Sequence, residues 1–214
     1  RNSSALHLES YLRVLEICSG KDVLDLGCGS GYGIASIAPV ARSATGVDVS
    51  NAAIAYAQER YVAENLRFNR ISPDQPTPFP EETFDVVLSF QVIEHVQDDR
   101  AYVAEIRRLL RPRGIAVFIT PDRRTRLFSW QKPWNRWHLR EYSVASLESV
   151  VSTSLSVVAA EVMQGVPSAV GAELERYRKA RLISMPFTLP FIPEWMRYPC
   201  LALLSKVAAR FQSG

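Results

Sequence analysis

Three glycines at every second position, Gly27, Gly29 and Gly31, follow an aspartate in the run Asp25-Leu26-Gly27-Cys28-Gly29-Ser30-Gly31. Glycine backbone can pass close beneath a small ligand, and here an acid faces that ligand. Two phosphate-binding patterns do not fit. In a GxGxxG frame the sixth position is Tyr32 from Gly27, Ile34 from Gly29 and Ser36 from Gly31, so the third glycine of a dinucleotide site is missing. No Gly-Lys-Ser/Thr follows, so there is no phosphate-anchoring lysine either. A cationic, phosphate-free nucleoside suits the loop better than a pyrophosphate. Asp48, 17 residues beyond Gly31, is spaced to accept both hydroxyls of a ribose. Cys28 reads as a small residue filling a tight loop.

A hydroxyl nucleophile gains from a nearby base, and imidazole, with an ordinary pKa of about 6.5, suits that task near neutrality. The chain has three histidines. His95 follows Glu94 after an apolar run and reads as a base or as a packed core residue. His138, inside Trp134-Asn135-Arg136-Trp137-His138-Leu139-Arg140-Glu141-Tyr142-Ser143, reads as an acceptor contact or as a helix-entry residue bonded to backbone. His7 lies near Tyr11 on the first helical stretch, either covering a ligand or exposed. The cysteines Cys18, Cys28 and Cys200 are scattered and form no CxxC pair. No metal site and no disulfide framework are expected, and a reducing cytosol is the natural compartment.

These residues need a scaffold, and the chain spells one out. Leu8, Leu12, Val14 and Leu15 recur at helical spacing between Ser4 and Ile17, with Gly20 at the exit. Val23 to Leu26 is a short apolar run of the kind buried parallel strands show. The spacing then predicts a helix over 32–38, a strand over 44–49, a helix over 51–64 capped by Ser50, and a strand over 66–68. A loop with Pro73, Pro76, Pro78 and Pro80 precedes a strand over 84–90, a helix from Asp98 or Asp99 to Leu110, and a strand over 115–120. Strands alternating with helices predict a parallel, doubly wound α/β sheet. Beyond it lie an aromatic and basic loop from Arg123 to Trp137, a helix over 144–151 and a strand near Leu155 to Val162.

The motifs in this order resemble the class I S-adenosylmethionine-dependent methyltransferases. Val-Leu-Asp-Leu-Gly-Cys-Gly-Ser-Gly-Tyr-Gly from Val23 is similar to their first motif, Gly-Val-Asp-Val-Ser from Gly46 to their second, and Phe-Asp-Val-Val-Leu-Ser-Phe-Gln-Val-Ile-Glu-His-Val from Phe84 to their fourth. Leu109-Leu110-Arg111-Pro112-Arg113-Gly114 matches the family's helix exit before its fifth strand. The resemblance implies a Rossmann-like sheet of seven strands and S-adenosyl-L-methionine as cofactor. It implies that Gly27, Gly29 and Gly31 line the methionine portion, Asp25 holds its amino group, Asp48 binds the ribose hydroxyls, Val49 flanks the adenine and Phe90 sits beside the methyl donor. The family's adenine-binding aspartate has Asp74 as its nearest counterpart, displaced by about one position, with a backbone amide near Ser72 as the alternative. The Glu94-His95 pair matches one that the family carries on the acceptor rim, and the stretch around His138 resembles one that folds over the acceptor.

Composition excludes several other classes. The chain has 214 residues, 47% of them hydrophobic and 22% charged, which is globular rather than disordered or fibrous. A net charge of +3 is far from that of a dedicated nucleic-acid binder. Arg107, Arg108, Arg111 and Arg113 read as a helix end favouring its dipole. Arg123, Arg124 and Arg126 with Trp130, Trp134 and Trp137 suit a sugar, a phosphate or a base. No run reaches the roughly 20 apolar residues of a membrane span; Leu182 to Pro193, 12 uncharged residues with three prolines, is expected to be extended. A helix with an apolar stripe at Leu201, Leu204, Val207, Ala208 and Phe211 should follow Pro199.

The expected organisation is a cofactor-binding domain over 1–165 and a basic, apolar extension over 166–214. The expected activity is methylation of a sugar or another small or lipid-linked acceptor. A quinone, natural-product or RNA acceptor and a non-catalytic scaffold are the alternatives. The expected partners are a small-molecule or glycolipid acceptor rather than DNA, with RNA disfavoured. Segment 182–211 could touch a membrane surface or pair in a homodimer, at a cytoplasmic location peripheral to the inner face of a membrane.

Overall fold

A computed structural model describes residues 2–73, 75–163 and 167–212. In chain order its elements are α1 (Asn2–Leu12), α2 (Leu15–Cys18), β1 (Asp22–Leu26), α3 (Tyr32–Ile37), β2 (Ser43–Asp48), α4 (Asn51–Arg60), β3 (Leu66–Arg70) and β4 (Phe84–Phe90). A 3-10 turn over Ile93–His95 leads to α5 (Asp99–Leu109), β5 (Leu110–Ile119), α6 (Arg123–Arg126) and α7 (Val144–Val151). The last elements are α8 (Pro167–Ser184), a 3-10 turn over Met185–Phe187 and α9 (Glu194–Gln212). Two compact units result: residues 1–93, 98–120 and 150–157 form one, and residues 94–97, 121–149 and 158–214 form the other.

The first unit is the sheet. Its strands are parallel in the order β3-β2-β1-β4-β5, so sequence order reverses between β1 and β4. A ligand crevice opens outside the carboxyl ends of strands at such a reversal. Alternation sorts the strands between two cores. Val23, Val86, Leu88 and Phe90 face one core with Tyr11, Ile34 and Ile54, while Leu24, Leu26 and Val87 face the other with Ile106 and Leu109. Asp25 lies on the same face as Val23, fully buried. Ser50 caps α4 through Ala53 N–H, and Asp98 caps α5 through Ala101 N–H, as the sequence predicts.

Among the described residues five strands are found where the resemblance implied seven. The expected strand near Leu155 to Val162 is irregular. Leu155 packs on the α5-side core, but Val158 is 97% exposed, and a β-branched run without a pairing partner has propensity alone. The opening helix breaks at Val14, whose ψ of 3° is not helical, and α4 stops at Arg60 instead of Glu64 because Tyr61 is extended.

The second unit is built from α6, α8, α9 and the loops around them. Segment 182–193 is not extended. Gln131 is fully buried, and its amide donates to Thr188 Oγ1 at 2.7 Å and to Arg181 O at 3.2 Å. The cost of leaving that amide unsatisfied curls Leu182 to Thr188 into a helix end and turn around it. The last helix begins five residues before Pro199 and contains it. Pro193 O accepts from Met196 and Arg197 N–H, and the buried Arg197 guanidinium donates to Pro133 O at 2.9 Å, so entry is fixed upstream of the proline. Leu201 is buried and Leu203 exposed; the side chains of Val207, Ala208 and Phe211 lie outside the described residues.

Candidate active site

At the carboxyl end of β1 the chain turns through Gly27, Gly29 and Gly31 with φ of 94°, 53° and 82°. Side chains rarely adopt these angles. Val47 O holds the turn by accepting from both Gly27 and Cys28 N–H, at 2.8 and 2.9 Å. The three glycines differ in surroundings. A Cβ on Gly27 would collide with Val92, and one on Gly31 would come within 2.6 Å of Phe68 and 2.7 Å of Ala57. At Gly29 a Cβ meets nothing within 4 Å, so this is the place on the loop where backbone faces open space. The buried Cys28 thiol packs beneath Gly46, and burial pushes its pKa up.

Asp25 is the central charge. Tyr11 O–H donates to its Oδ2 at 3.0 Å, while its Oδ1 is buried without a hydrogen-bond partner. Burial raises the carboxyl pKa to about 7, opposed by the Tyr11 bond and reinforced by the Asp48 charge. Tyr11, raised in turn by burial and by Asp25, lies against Phe90 at a centroid distance of 4.7 Å. It also covers Gly33, where no Cβ would fit. Sequence reasoning placed Tyr11 only on a covering helix and passed over Gly33; the Tyr-Gly-Ile beginning of α3 carries no signal for a ring contributed from α1. His7 Nδ1 bonds Tyr32 Oη at 2.9 Å.

Asp48, at the end of β2, uses both oxygens on backbone: Oδ2 accepts from Gly29 N–H at 2.9 Å and Oδ1 from Ser50 N–H at 2.8 Å. It therefore fixes the open glycine. Val49 beside it is exposed, and Asp74 lies outside the described residues. The structure thus brings Asp25, Gly27, Gly29, Gly31, Asp48 and Phe90 to the carboxyl ends of β1, β2 and β4.

The loop suits a cofactor that carries a cationic amino group and a ribose. The partnerless buried Asp25 Oδ1 is the acceptor an ammonium group needs, and the open side of Gly29 leaves room for a ligand beside Asp48. The residues fit.

A separate cluster forms in the second unit. Glu94 is fully buried, His138 nearly so and His95 exposed, and one ligand-type atom from each lies within 4.8 Å of the others. The rings of His95 and His138 meet edge to face at 4.9 Å. Two chain segments are fastened together here: Leu139 N–H donates to Glu94 O at 2.9 Å, and the Arg140 guanidinium to Val96 O and Gln97 O at 2.9 and 2.8 Å. His95 Nδ1 bonds Trp137 O at 2.8 Å, and His138 Nδ1 bonds Glu141 Oε1 at 2.8 Å. Glu141 is also paired with the buried Arg126, whose guanidinium lies over Trp134 and Tyr177 at 4.5 and 4.8 Å. Neither Glu141 nor Arg126 was singled out from sequence as support for His138; the i,i+3 spacing of His138 and Glu141 was the available signal. Arg123 donates to the carbonyls of Phe128, Ser129 and Gln131, and Arg124 pairs with Asp122, so these arginines are engaged within the chain.

Comparison with known proteins agrees with the glycine loop. A family described as a methyltransferase domain matches residues 24–118. A Mycolicibacterium smegmatis protein named "probable S-adenosylmethionine-dependent methyltransferase" is 38% identical over 148 residues, 69% of this chain and 56% of the relative. A ubiquinone biosynthesis O-methyltransferase of Bradyrhizobium diazoefficiens is 29% identical over 133 residues, 60% of this chain and 51% of the relative. The chain therefore spans little more than half the length of these relatives. Among solved structures, the N-methyltransferase NodS of Bradyrhizobium japonicum, in complex with S-adenosyl-L-homocysteine, superposes with a TM-score of 0.61 at 20% identity, covering 77% of this chain and 81% of that one. At that identity the likeness is one of fold.

Proposed function

The chain belongs to the class I S-adenosylmethionine-dependent methyltransferase family, and from that premise we propose that it methylates a hydroxyl of a sugar or another small or lipid-linked acceptor. The observation that carries the cofactor half is the buried Asp25 Oδ1 without a hydrogen-bond partner at the end of β1. Asp25 holds the amino group of the cofactor, Gly27, Gly29 and Gly31 pass beneath its methionine portion, and Asp48 takes the ribose hydroxyls. Val49 flanks the adenine, with Asp74 as its candidate amino-group partner, and Phe90 borders the methyl donor.

S-adenosyl-L-methionine supplies an activated methyl carbon for in-line displacement. The protein's task is then chiefly to hold nucleophile and carbon in near-attack geometry, worth on the order of 7–11 kcal/mol. Glu94, His95 and His138 serve the acceptor. Carbonyl and carboxylate oxygens cannot donate, so the Nδ1 atoms of His95 and His138 do, and each neutral ring keeps its lone pair on Nε2. Such a nitrogen accepts the proton of an acceptor hydroxyl. Kinship with a ubiquinone biosynthesis O-methyltransferase favours a second reading of the acceptor, a phenolic hydroxyl of a quinone precursor.

The extension over 182–211 supports peripheral contact with a membrane surface, because Phe191 and Trp195 are each 76% exposed; pairing with a second copy is the competing use of that surface. Among the described residues no helix is long and apolar enough to cross a membrane. Incubation with methyl-labelled S-adenosyl-L-methionine and a cell extract tests the activity. Label in glycan or organic-extractable material supports it; label in RNA, or none, overturns it.

A further inference from the structure

We propose that Glu94, His95 and His138 bind a divalent first-row transition-metal cation. The juxtaposition is two imidazoles and a carboxylate, one donor atom from each within 4.8 Å of the others. Ligand bonds of about 2.0–2.2 Å draw donors to within about 3–3.5 Å of one another, so binding contracts the cluster by a further 1–2 Å or so. Rotation of the exposed His95 ring and of the Glu94 carboxylate can supply that movement.

The surroundings orient the donors as metal sites do. A metal-ligating histidine gives its other N–H to a carboxylate or a backbone carbonyl, which fixes the tautomer and the ring. Both forms occur here. His138 Nδ1 is held by Glu141, itself anchored by Arg126, and His95 Nδ1 by Trp137 O. The two lone pairs therefore reside on Nε2 of rings whose tautomers are set before any ion arrives. Glu94 is completely buried, unlike the solvated acids that cluster by chance on surfaces. Its main chain is fastened by Leu139 N–H, so the carboxylate and His138 keep a common frame.

Two histidines and one carboxylate favour zinc, iron, manganese or cobalt over calcium or magnesium, and leave coordination positions open. An acceptor hydroxyl oxygen could take one of them, with its acidity raised by the cation as that of a metal-bound water is; with both Nε2 lone pairs on the cation, this activation takes the place of the imidazole base, and the proton passes to solvent. The site itself follows from the geometry of the cluster alone; its use in methyl transfer rests on the function proposed above.

The test uses the full chain, stripped with a chelator and titrated with zinc, manganese and cobalt, with cobalt absorption bands and elemental analysis as readouts. One equivalent bound, with affinity for each variant lowered by about tenfold or more in His95→Ala and His138→Ala, is the expected result. His95 is exposed, so its variant remains informative if His138→Ala fails to fold. Less than a tenth of an equivalent bound, or an unchanged affinity in His95→Ala, would overturn the site. S-adenosyl-L-methionine titration of the stripped protein should be unchanged, which separates failure of the metal site from failure of the cofactor site.

Discussion

Asp25 joins two properties that seldom coincide, complete burial and an oxygen without a hydrogen-bond partner, and together they make its charge sensitive to any cation placed beside it. Its folded pKa of about 7 lies above the roughly 3.9 of an unfolded aspartate. Between those values the folded apoprotein keeps a proton that the unfolded chain has lost. This group's contribution to stability is therefore full below about pH 4 and falls as pH rises to about 7. In the role proposed for Asp25, a bound ammonium group favours the anion, so binding would expel the proton. Affinity for S-adenosyl-L-methionine should climb with pH by up to about tenfold per unit and level off above about pH 7. Asp25→Asn should abolish that slope and, losing a charged hydrogen bond of about 1.5–3 kcal/mol, weaken binding about 10- to 100-fold at pH 8. Calorimetric titrations across the pH range check both. At Asp48, substitution by alanine removes the two backbone bonds to Gly29 and Ser50 together with the ribose contact proposed for it. Loss of affinity and a lower Tm should therefore appear together.

The strand-to-helix turn makes a different demand, since glycine is required there for packing as well as for φ. Gly31→Ala places a Cβ at φ 82° within 2.6 Å of Phe68 and should destabilise the fold by about 2–4 kcal/mol. Gly171→Ala, inside α8 with nothing within 4 Å, should instead be neutral or stabilising by up to about 1 kcal/mol. Urea denaturation of both variants decides the matter. The same contrast between local and distant causes explains what could be read from sequence. The strands β1, β2 and β4 and the capped helices were legible because burial on both faces leaves apolar runs and capping is local. Segments governed by distant partners were not: Gln131 curls a stretch some fifty residues away, and Val158 pairs with no strand among the described residues. Likewise the glycines and Asp48 announce themselves by spacing. The Tyr11 bond to Asp25 and the Arg126–Glu141–His138 chain join residues that no short motif connects.

At the scale of the molecule, a net charge of +3 and an exposed apolar extension together bear on where the chain acts. Phe191 and Trp195 are the sort of side chains that anchor a protein at a bilayer interface. Sedimentation with anionic phospholipid vesicles should carry the protein down, and Phe191→Ser with Trp195→Ser should reduce the bound fraction several-fold. A protein that stays in solution yet sediments as a dimer would assign that surface to a second copy instead. The sheet unit, with its order β3-β2-β1-β4-β5 and its reversal beside Asp25, is where the central claim resides. Calorimetric titration with S-adenosyl-L-methionine, S-adenosyl-L-homocysteine and NADH tests it most directly. Micromolar binding of the first two and none of NADH, weakened by Asp25→Asn and Asp48→Ala, is the predicted result. Binding of neither, or equal binding by both variants, would contradict it.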